Sequence, residues 1–219
     1  YNPQTGVIAT GSQTAMSMPW CVGLVDEANK TKVMQNLADS IYAHNKELTA
    51  GDVGFHYLVW ALTKGNRSQL LYEMNARDDV PGYGFQLKKG ATALTESWPA
   101  LEIVSNNHLM LGHLMEWFYT GLGGIDQGQS SAGYKEIIIK PEMVGDISFV
   151  KANHLSPYGE IKCYWKRELN RVIINVHIPV NTSARIFLPV KENSIVKENW
   201  IEISKVRDIK ILPGTDGKM

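Results

Sequence analysis

The sequence lacks long apolar runs and any excess of charge. No uninterrupted apolar stretch approaches the ~18 residues that a membrane-spanning helix needs, and no charged-then-apolar leader opens the chain. Lys and Arg number 22, Asp and Glu number 22, and no basic run is longer than two residues. These absences predict a chain without a membrane span and argue against a nucleic-acid partner.

Cysteine and the common motifs of metal and nucleophile chemistry are also scarce. The two cysteines, Cys21 and Cys163, lie far apart among apolar neighbours, which favours buried free thiols. His108 and His113 are five residues apart without an HExxH pattern, and no GxSxG or P-loop motif is present. We therefore expect no metal ion and no cofactor, and no sequence motif indicates a catalytic Ser or Cys nucleophile.

The first half of the chain has helical periodicity. Val33, Leu37 and Ile41 recur at four-residue steps on one face of a predicted amphipathic helix. A second helix is predicted from Asp52, which is placed to cap it, to Gly65, a candidate left-handed C-cap.

Three further helices are predicted in this half. One begins at Ser12 and should kink or end near Met18, because Pro19 follows. Another is capped by Ser68. The last carries one apolar stripe and stops at GLGG; the stripe consists of Met110, Leu114, Trp117 and Gly121.

After DQGQSSAG the apolar period changes to two. Five segments alternate, namely YKEIIIKP, GDISFVKANHL, GEIKCYWKRE, NRVIINVHIPV and SARIFLPV. Turn residues separate them at intervals typical of an antiparallel β-sandwich, here of roughly seven strands. The predicted division is a helical domain at residues 1–128 and a sandwich domain at residues 129–219.

Polar and aromatic side chains gather in the loop PGYGFQLKKGATALTESW and in SNNHLM, which follows it. They are Tyr83, Phe85, Glu96, Trp98, Asn107 and His108. Aromatic faces stack on sugar rings, and a loop carboxylate beside an indole suits acid–base work, so this composition is typical of a carbohydrate site. From these residues alone a structural alternative is favoured, in which Glu96 caps a helix and Trp98 anchors the core.

Several motifs together resemble bacterial α-L-rhamnosidases of glycoside hydrolase family 78. They are TGSQTAMSMP, LTAGDVGFHYLVWAL, GYGFQLKKGATALTESW, SNNHLMLGHLMEWFYTGLGGI and PYGEIKCYWKRE. The resemblance runs from about Thr10 to Pro189 and corresponds to the C-terminal third of such an enzyme. It implies a partial (α/α) six-hairpin toroid followed by an antiparallel β-sandwich, and hydrolysis of terminal α-L-rhamnosides with inversion.

The resemblance also implies roles for individual residues. Glu96 matches the general base, while the general acid belongs to an upstream segment that the sequence does not contain. His108 matches a histidine that contacts sugar hydroxyls, and Tyr83 an aromatic residue that lines the same subsite. Further candidate substrate contacts are Trp98, Asn107, Asp52 and Gln13.

Two neighbours of Glu96 depart from the family pattern. Many members carry Trp before the base and often Arg after it, where this chain has Thr95 and Ser97, so the sugar's identity stays open. Two alternatives remain: a non-catalytic carbohydrate-binding or scaffold module, and a phosphorylase or lyase on the same toroid.

The resemblance also sets expectations about partners and location. The expected partners are a rhamnose-containing glycan or glycoside and the N-terminal part of the same enzyme, since the chain begins at Tyr1 rather than Met. The expected location is the periplasm or the cell exterior.

Overall fold

The computed structural model describes residues 1–190, 194–207 and 209–212. The first part is helical, and its α-helices are α1 (Gln13–Cys21), α2 (Glu27–Ala43), α3 (Asp52–Lys64), α4 (Ser68–Ala76), α5 (Tyr83–Lys88) and α6 (Leu114–Trp117). A 3₁₀ turn at Leu109–Leu111 precedes α6, and a π-helical turn at Phe118–Leu122 follows it. Of the helices in the described ranges, none has both the length and the apolar composition of a membrane span.

Helix α3 is the centre of the helical core. It contacts α1, α4, α6 and the 3₁₀ turn, and Phe55, Leu58 and Leu62 on its buried face have no exposed area. Burying each such side chain contributes roughly 1.5–3 kcal/mol. The four-residue periodicity of Val33, Leu37 and Ile41 likewise predicted the buried face of α2 correctly, since each of the three is at most 1% exposed.

Helix α1 begins as predicted but ends later. The Ser12 side chain accepts a hydrogen bond from the Ala15 N–H at 3.2 Å, as an N-cap does. Of the two predicted effects of Pro19, a kink or an end near Met18, the end was wrong, since α1 continues to Cys21. Because Pro19 lies in the last turn, only its own N–H is lost, and the Val22 N–H still reaches the Met18 carbonyl at 3.1 Å.

The two ends of α3 differ from the predicted caps. Gly51 is the N-cap and Asp52 lies in the first turn, where its side chain makes no capping bond. At the other end Gly65 has φ −81°, and the left-handed residue is Asn66 at φ +55°. The Arg67 N–H then closes the helix on the Leu62 carbonyl at 2.7 Å, so Asn66 takes the conformation expected of the glycine.

The last helical segment is broken rather than continuous. Leu114, Trp117 and Gly121 are buried, but Met110 is 40% exposed, so the predicted stripe fails at its first residue. The cause is the 3₁₀ turn, whose three-residue period rotates Met110 away from the face that α6 continues.

The second part forms short sheets. The strands are β1 (Ile125–Gln127), β2 (Glu136–Ile139), β3 (Phe149–Ser156), β4 (Gly159–Glu168), β5 (Arg171–His177), β6 (Ser183–Ile186), β7 (Lys197–Glu198) and β8 (Ile201–Glu202). The sheet orders are β1-β2-β6, β3-β4-β5 and β7-β8. The end of the predicted sandwich domain, residues 213–219, lies outside the described residues.

The hairpins follow the predicted turns, but one pairing is parallel. β3 pairs with β4 antiparallel from Ser156 opposite Gly159, and β4 pairs with β5 from Glu168 opposite Arg171, so each connection is a two-residue loop. β2 and β6 run parallel, which the alternating pattern did not indicate. β1 precedes Gln129 and pairs antiparallel with β2.

The helical part and the sheets share a bonded boundary. The Trp165 indole on β4 has no exposed area and donates to the Leu122 carbonyl at 2.7 Å. Both cysteines are free; Cys163 is buried and Cys21 is half-buried. Burial raises the pKa of each thiol to about 11, which makes both poor nucleophiles at neutral pH.

Candidate active site

Glu96 lies at the base of a loop that closes on itself. Its backbone N–H donates to the Ser105 carbonyl at 2.8 Å, and its Oε2 accepts the Ser105 N–H at 3.0 Å. The His108 N–H donates to the Leu94 carbonyl at 2.8 Å. Residues 94–96 and 105–108 are therefore held side by side, and the loop between Glu96 and Ser105 projects from this base.

The Glu96 carboxylate itself faces solvent. The residue is exposed, and within the described part of the chain Oε1 has no hydrogen-bond partner. One carboxylate oxygen is thus fixed by a backbone amide while the other is free to bind water. This geometry suits a base that activates a water molecule, and the side chain does not cap a helix.

The two residues that flank Glu96 serve the loop's own structure. Thr95 is buried, and its hydroxyl donates to the Ser97 carbonyl at 2.7 Å. The Gln86 amide donates to that same carbonyl at 3.2 Å, and the Ser97 hydroxyl accepts the Leu101 N–H at 3.1 Å. These bonds fix the direction in which Glu96 leaves the backbone.

His108 is held from a second side by Asp52. The Nε2 atom of His108 lies 2.9 Å from Oδ2 of Asp52, which stands in the first turn of α3. The Asp52 side chain is 38% exposed and that of His108 is 23% exposed. Two residues 56 positions apart, both predicted as substrate contacts, are therefore brought together.

Trp98 and Tyr83 belong to the packing beneath the loop. Trp98 is 6% exposed and its indole N–H donates to the Ala50 carbonyl at 2.7 Å. Its ring lies 4.8 Å from Phe55 and 5.4 Å from Tyr83, both edge-on. Trp98 therefore packs in the core, as in the structural alternative, and its predicted contact with substrate stays a prediction.

Tyr83 is half-buried in the same aromatic cluster. Its ring centroid is 5.8 Å from that of Phe55, and burial raises the pKa of its phenol well above the ordinary value. The phenol therefore stays neutral at all ordinary pH. Its predicted contact with sugar stays a prediction.

The remaining two candidates are placed differently. Asn107 is exposed beside His108, and its N–H bonds the Ser105 hydroxyl at 3.3 Å. Gln13, in contrast, is buried, and its side chain is engaged by the backbone: its amide nitrogen donates to the Glu47 carbonyl, and its amide oxygen accepts from the N–H groups of Thr49 and Ala50. It ties α1 to the segment that leads into α3.

A second polar group on α3 was not anticipated from the sequence. His56 stands one turn after Asp52, and its Nδ1 lies 3.7 Å from Oε2 of Glu116, while its ring centroid is 4.9 Å from that of His113. Burial and the neighbouring His56 lower the pKa of His113. The four-residue spacing of Asp52 and His56 could have indicated that both point toward the 108–116 segment.

An open cavity of about 260 Å³ lies beyond this group, at the boundary with the sheets. Its lining residues are Glu116, Tyr119, Thr120, Ile125, Tyr134 and His154. Neither Glu96 nor His108 lines it, so the candidate site is the open surface at the loop base. Among the described residues no group of three or more His, Cys, Asp or Glu side chains is placed to hold a metal ion.

Two family models match consecutive parts of the chain. Residues 1–122 match the bacterial alpha-L-rhamnosidase six-hairpin glycosidase domain, and residues 124–200 match the bacterial alpha-L-rhamnosidase C-terminal domain. A relative from Formosa agariphila named alpha-L-rhamnosidase is 30% identical over 183 residues, which is 81% of this chain and 19% of the relative.

Two solved structures share the fold. The alpha-L-rhamnosidase from Dictyoglumus thermophilum superimposes with a TM-score of 0.81 at 29% identity over 90% of this chain and 23% of that one. The Streptomyces avermitilis alpha-L-rhamnosidase complexed with L-rhamnose gives a TM-score of 0.77 at 26% identity over 85% of this chain and 19% of that one.

This chain spans about a fifth of the length of the relatives it matches, between 19% and 23%. The fold class implied by the resemblance is confirmed: the helices are part of a six-hairpin toroid, and the sheets form the β-sandwich that follows it. The chain belongs to the bacterial alpha-L-rhamnosidase six-hairpin glycosidase family.

Proposed function

We propose that this chain supplies the general base and part of the sugar subsite of an inverting α-L-rhamnosidase. The observation that carries the proposal is the state of the Glu96 carboxylate, which is exposed, anchored through Oε2 by the Ser105 amide, and next to the bonded His108–Asp52 pair. The relatives' names and the L-rhamnose complex of the Streptomyces avermitilis protein support the choice of substrate.

Inverting hydrolysis uses two carboxyl groups on opposite faces of the sugar, roughly 6.5–9.5 Å apart. In the proposed mechanism Glu96 takes a proton from water through its free oxygen while that water attacks the anomeric carbon. The second carboxyl group protonates the leaving oxygen, and we place it on polypeptide outside these 219 residues. Asp52 is not assigned that acid role, because its Oδ2 lies 2.9 Å from Nε2 of His108 and is engaged in that pair.

His108 and Asn107 are the proposed contacts with the sugar's hydroxyl groups, since both are at the loop base beside Glu96. We also propose that the ring of Tyr83 lines the same subsite and stacks on the sugar ring. A glycan substrate would be met in the periplasm or outside the cell, and we propose that location.

The test uses the complete enzyme that contains this chain. Replacing a general base typically lowers turnover by roughly 10²- to 10⁴-fold, so Glu96→Gln should reduce hydrolysis of an aryl α-L-rhamnoside by that factor while L-rhamnose affinity is kept. Glu102→Gln is the matched control, because Glu102 is exposed in the same loop and has no assigned role. The NMR spectrum of the first product should show the β anomer, with or without added phosphate.

Full activity of the Glu96→Gln enzyme would exclude the base role, and an α-anomeric product would exclude inversion. A sugar phosphate formed only in the presence of phosphate would instead indicate a phosphorylase. We expect the 219-residue chain by itself to show no appreciable turnover, since the proposed acid is placed on polypeptide outside it.

A further inference from the structure

Asp52 stands where a sugar ligand was predicted, yet its carboxylate is already engaged. Its Oδ2 lies 2.9 Å from His108 Nε2. One oxygen of the carboxylate is therefore engaged by the histidine, which gives Asp52 a function besides direct contact with a sugar.

We propose that Asp52 is a positioning residue, which fixes the ring orientation and the tautomer of His108. This inference rests on the proposed function, because it specifies how one group of that subsite would act. An ionised carboxylate can only accept hydrogen bonds, so Nε2 of His108 carries the proton. In the neutral ring Nδ1 is then left with its lone pair and acts as an acceptor for a sugar hydroxyl.

The surroundings of the pair support this assignment. Within the part of the chain that the structure describes, no group hydrogen-bonds His108 Nδ1, and the side chain keeps 23% of its area exposed. The backbone of His108 is fixed separately, by its N–H bond to the Leu94 carbonyl. Asp52 is carried by α3, a helix of 13 residues that is packed against α1, α4 and α6.

Asp52 also lies in the first turn of α3, where unpaired backbone amides and the helix dipole attract a carboxylate. A charged acceptor holds the histidine more strongly than a neutral one. Helix α3 therefore holds Asp52 in a fixed position beside His108.

The experiment is a double-mutant cycle in the complete enzyme, with two readouts: L-rhamnose affinity by calorimetry and kcat/KM on an aryl α-L-rhamnoside. Asp52→Ala should lower both by roughly 10- to 100-fold, by analogy with the loss seen when the partners that orient metal-binding histidines are removed. Asp52→Asn keeps an acceptor oxygen but also offers a donor, so its loss should be smaller. Asp39→Ala, at an exposed aspartate on α2, is the matched control.

The decisive comparison is made in a His108→Ala background. If Asp52 acts only through His108, then adding Asp52→Ala to His108→Ala should change neither readout by more than about twofold, which is far from additive. Equal losses in both backgrounds would overturn the positioning role, as would an equal loss from Asp39→Ala. Absence of rhamnose binding and turnover in the unaltered enzyme would instead refute the proposed function.

Discussion

Trp98 offers the sharpest test of how the loop is supported. The indole is buried against Phe55 and Tyr83, and its N–H donates to the carbonyl of Ala50, a residue that is itself 1% exposed. Trp98→Ala removes the ring contacts and leaves a cavity, and such changes cost about 3–5 kcal/mol of unfolding free energy. Trp98→Phe keeps much of the packing but leaves the Ala50 carbonyl without its donor, which costs about 1–3 kcal/mol.

The assay is urea unfolding followed by the helical circular dichroism signal, because fluorescence would be changed by the substitution itself. Trp200→Ala is the control, since Trp200 is 82% exposed, and its effect should stay within roughly 0.5 kcal/mol. We expect Trp98→Ala to be the most destabilised variant, Trp98→Phe to be intermediate and Trp200→Ala to be the least affected. If the Trp98→Ala protein were as stable as the control but had lost rhamnose affinity, Trp98 would not support the core and its predicted contact with substrate would be favoured.

Two further predictions concern the boundary between the helices and the sheets. Burial raises the pKa of Glu142, whose carboxylate accepts from the Ser68 hydroxyl; the folded state therefore binds this proton more tightly than the unfolded state. Stability should accordingly fall as the pH rises from the ordinary carboxyl pKa of 4.5 through the raised pKa. In thermal unfolding scans the Glu142→Gln variant should lack this pH-dependent loss of stability, whereas the control Glu102→Gln should keep it. Gly124 has φ +68°, and a Cβ there would meet the backbone of Pro141, so Gly124→Ala should cost roughly 2–5 kcal/mol in urea unfolding. Gly23→Ala, at φ +77° in open space, should cost clearly less, and equal costs would contradict the close approach.

Local patterns predicted the elements that depend on nearby residues. The buried faces of α2 and α3 follow from apolar spacing, and β4 has the bounds of its alternating segment, Gly159–Glu168. The turns at Ser156 and Glu168 were also predicted, because two-residue hairpin connections are encoded by their own residues. In each case the free energy that decides the structure is contributed within one or two turns of chain.

The errors arise where distant residues compete with a local preference. Asp52 was expected to cap α3, but His108, 56 positions later, takes its carboxylate. Ser68 was expected to cap α4, but its hydroxyl bonds Glu142 and accepts from the Trp117 indole. The parallel pairing of β2 with β6 likewise joins segments 47 positions apart, from Glu136 to Ser183. Side-chain caps are weak, at roughly 1 kcal/mol, so a charged or buried partner readily replaces them.

The two residues that flank Glu96 have a structural role. Thr95 and Ser97 differ from the pattern of the family that the sequence resembles, and this departure left the identity of the sugar open. In the structure Thr95 is 1% exposed and bonds the Ser97 carbonyl, which also receives the Gln86 amide. A side chain as large as Trp could not occupy that buried position without rebuilding the loop base. Thr95 and Ser97 therefore support Glu96, and we expect sugar preference to depend instead on the partly exposed His108 and the exposed Asn107 beside it.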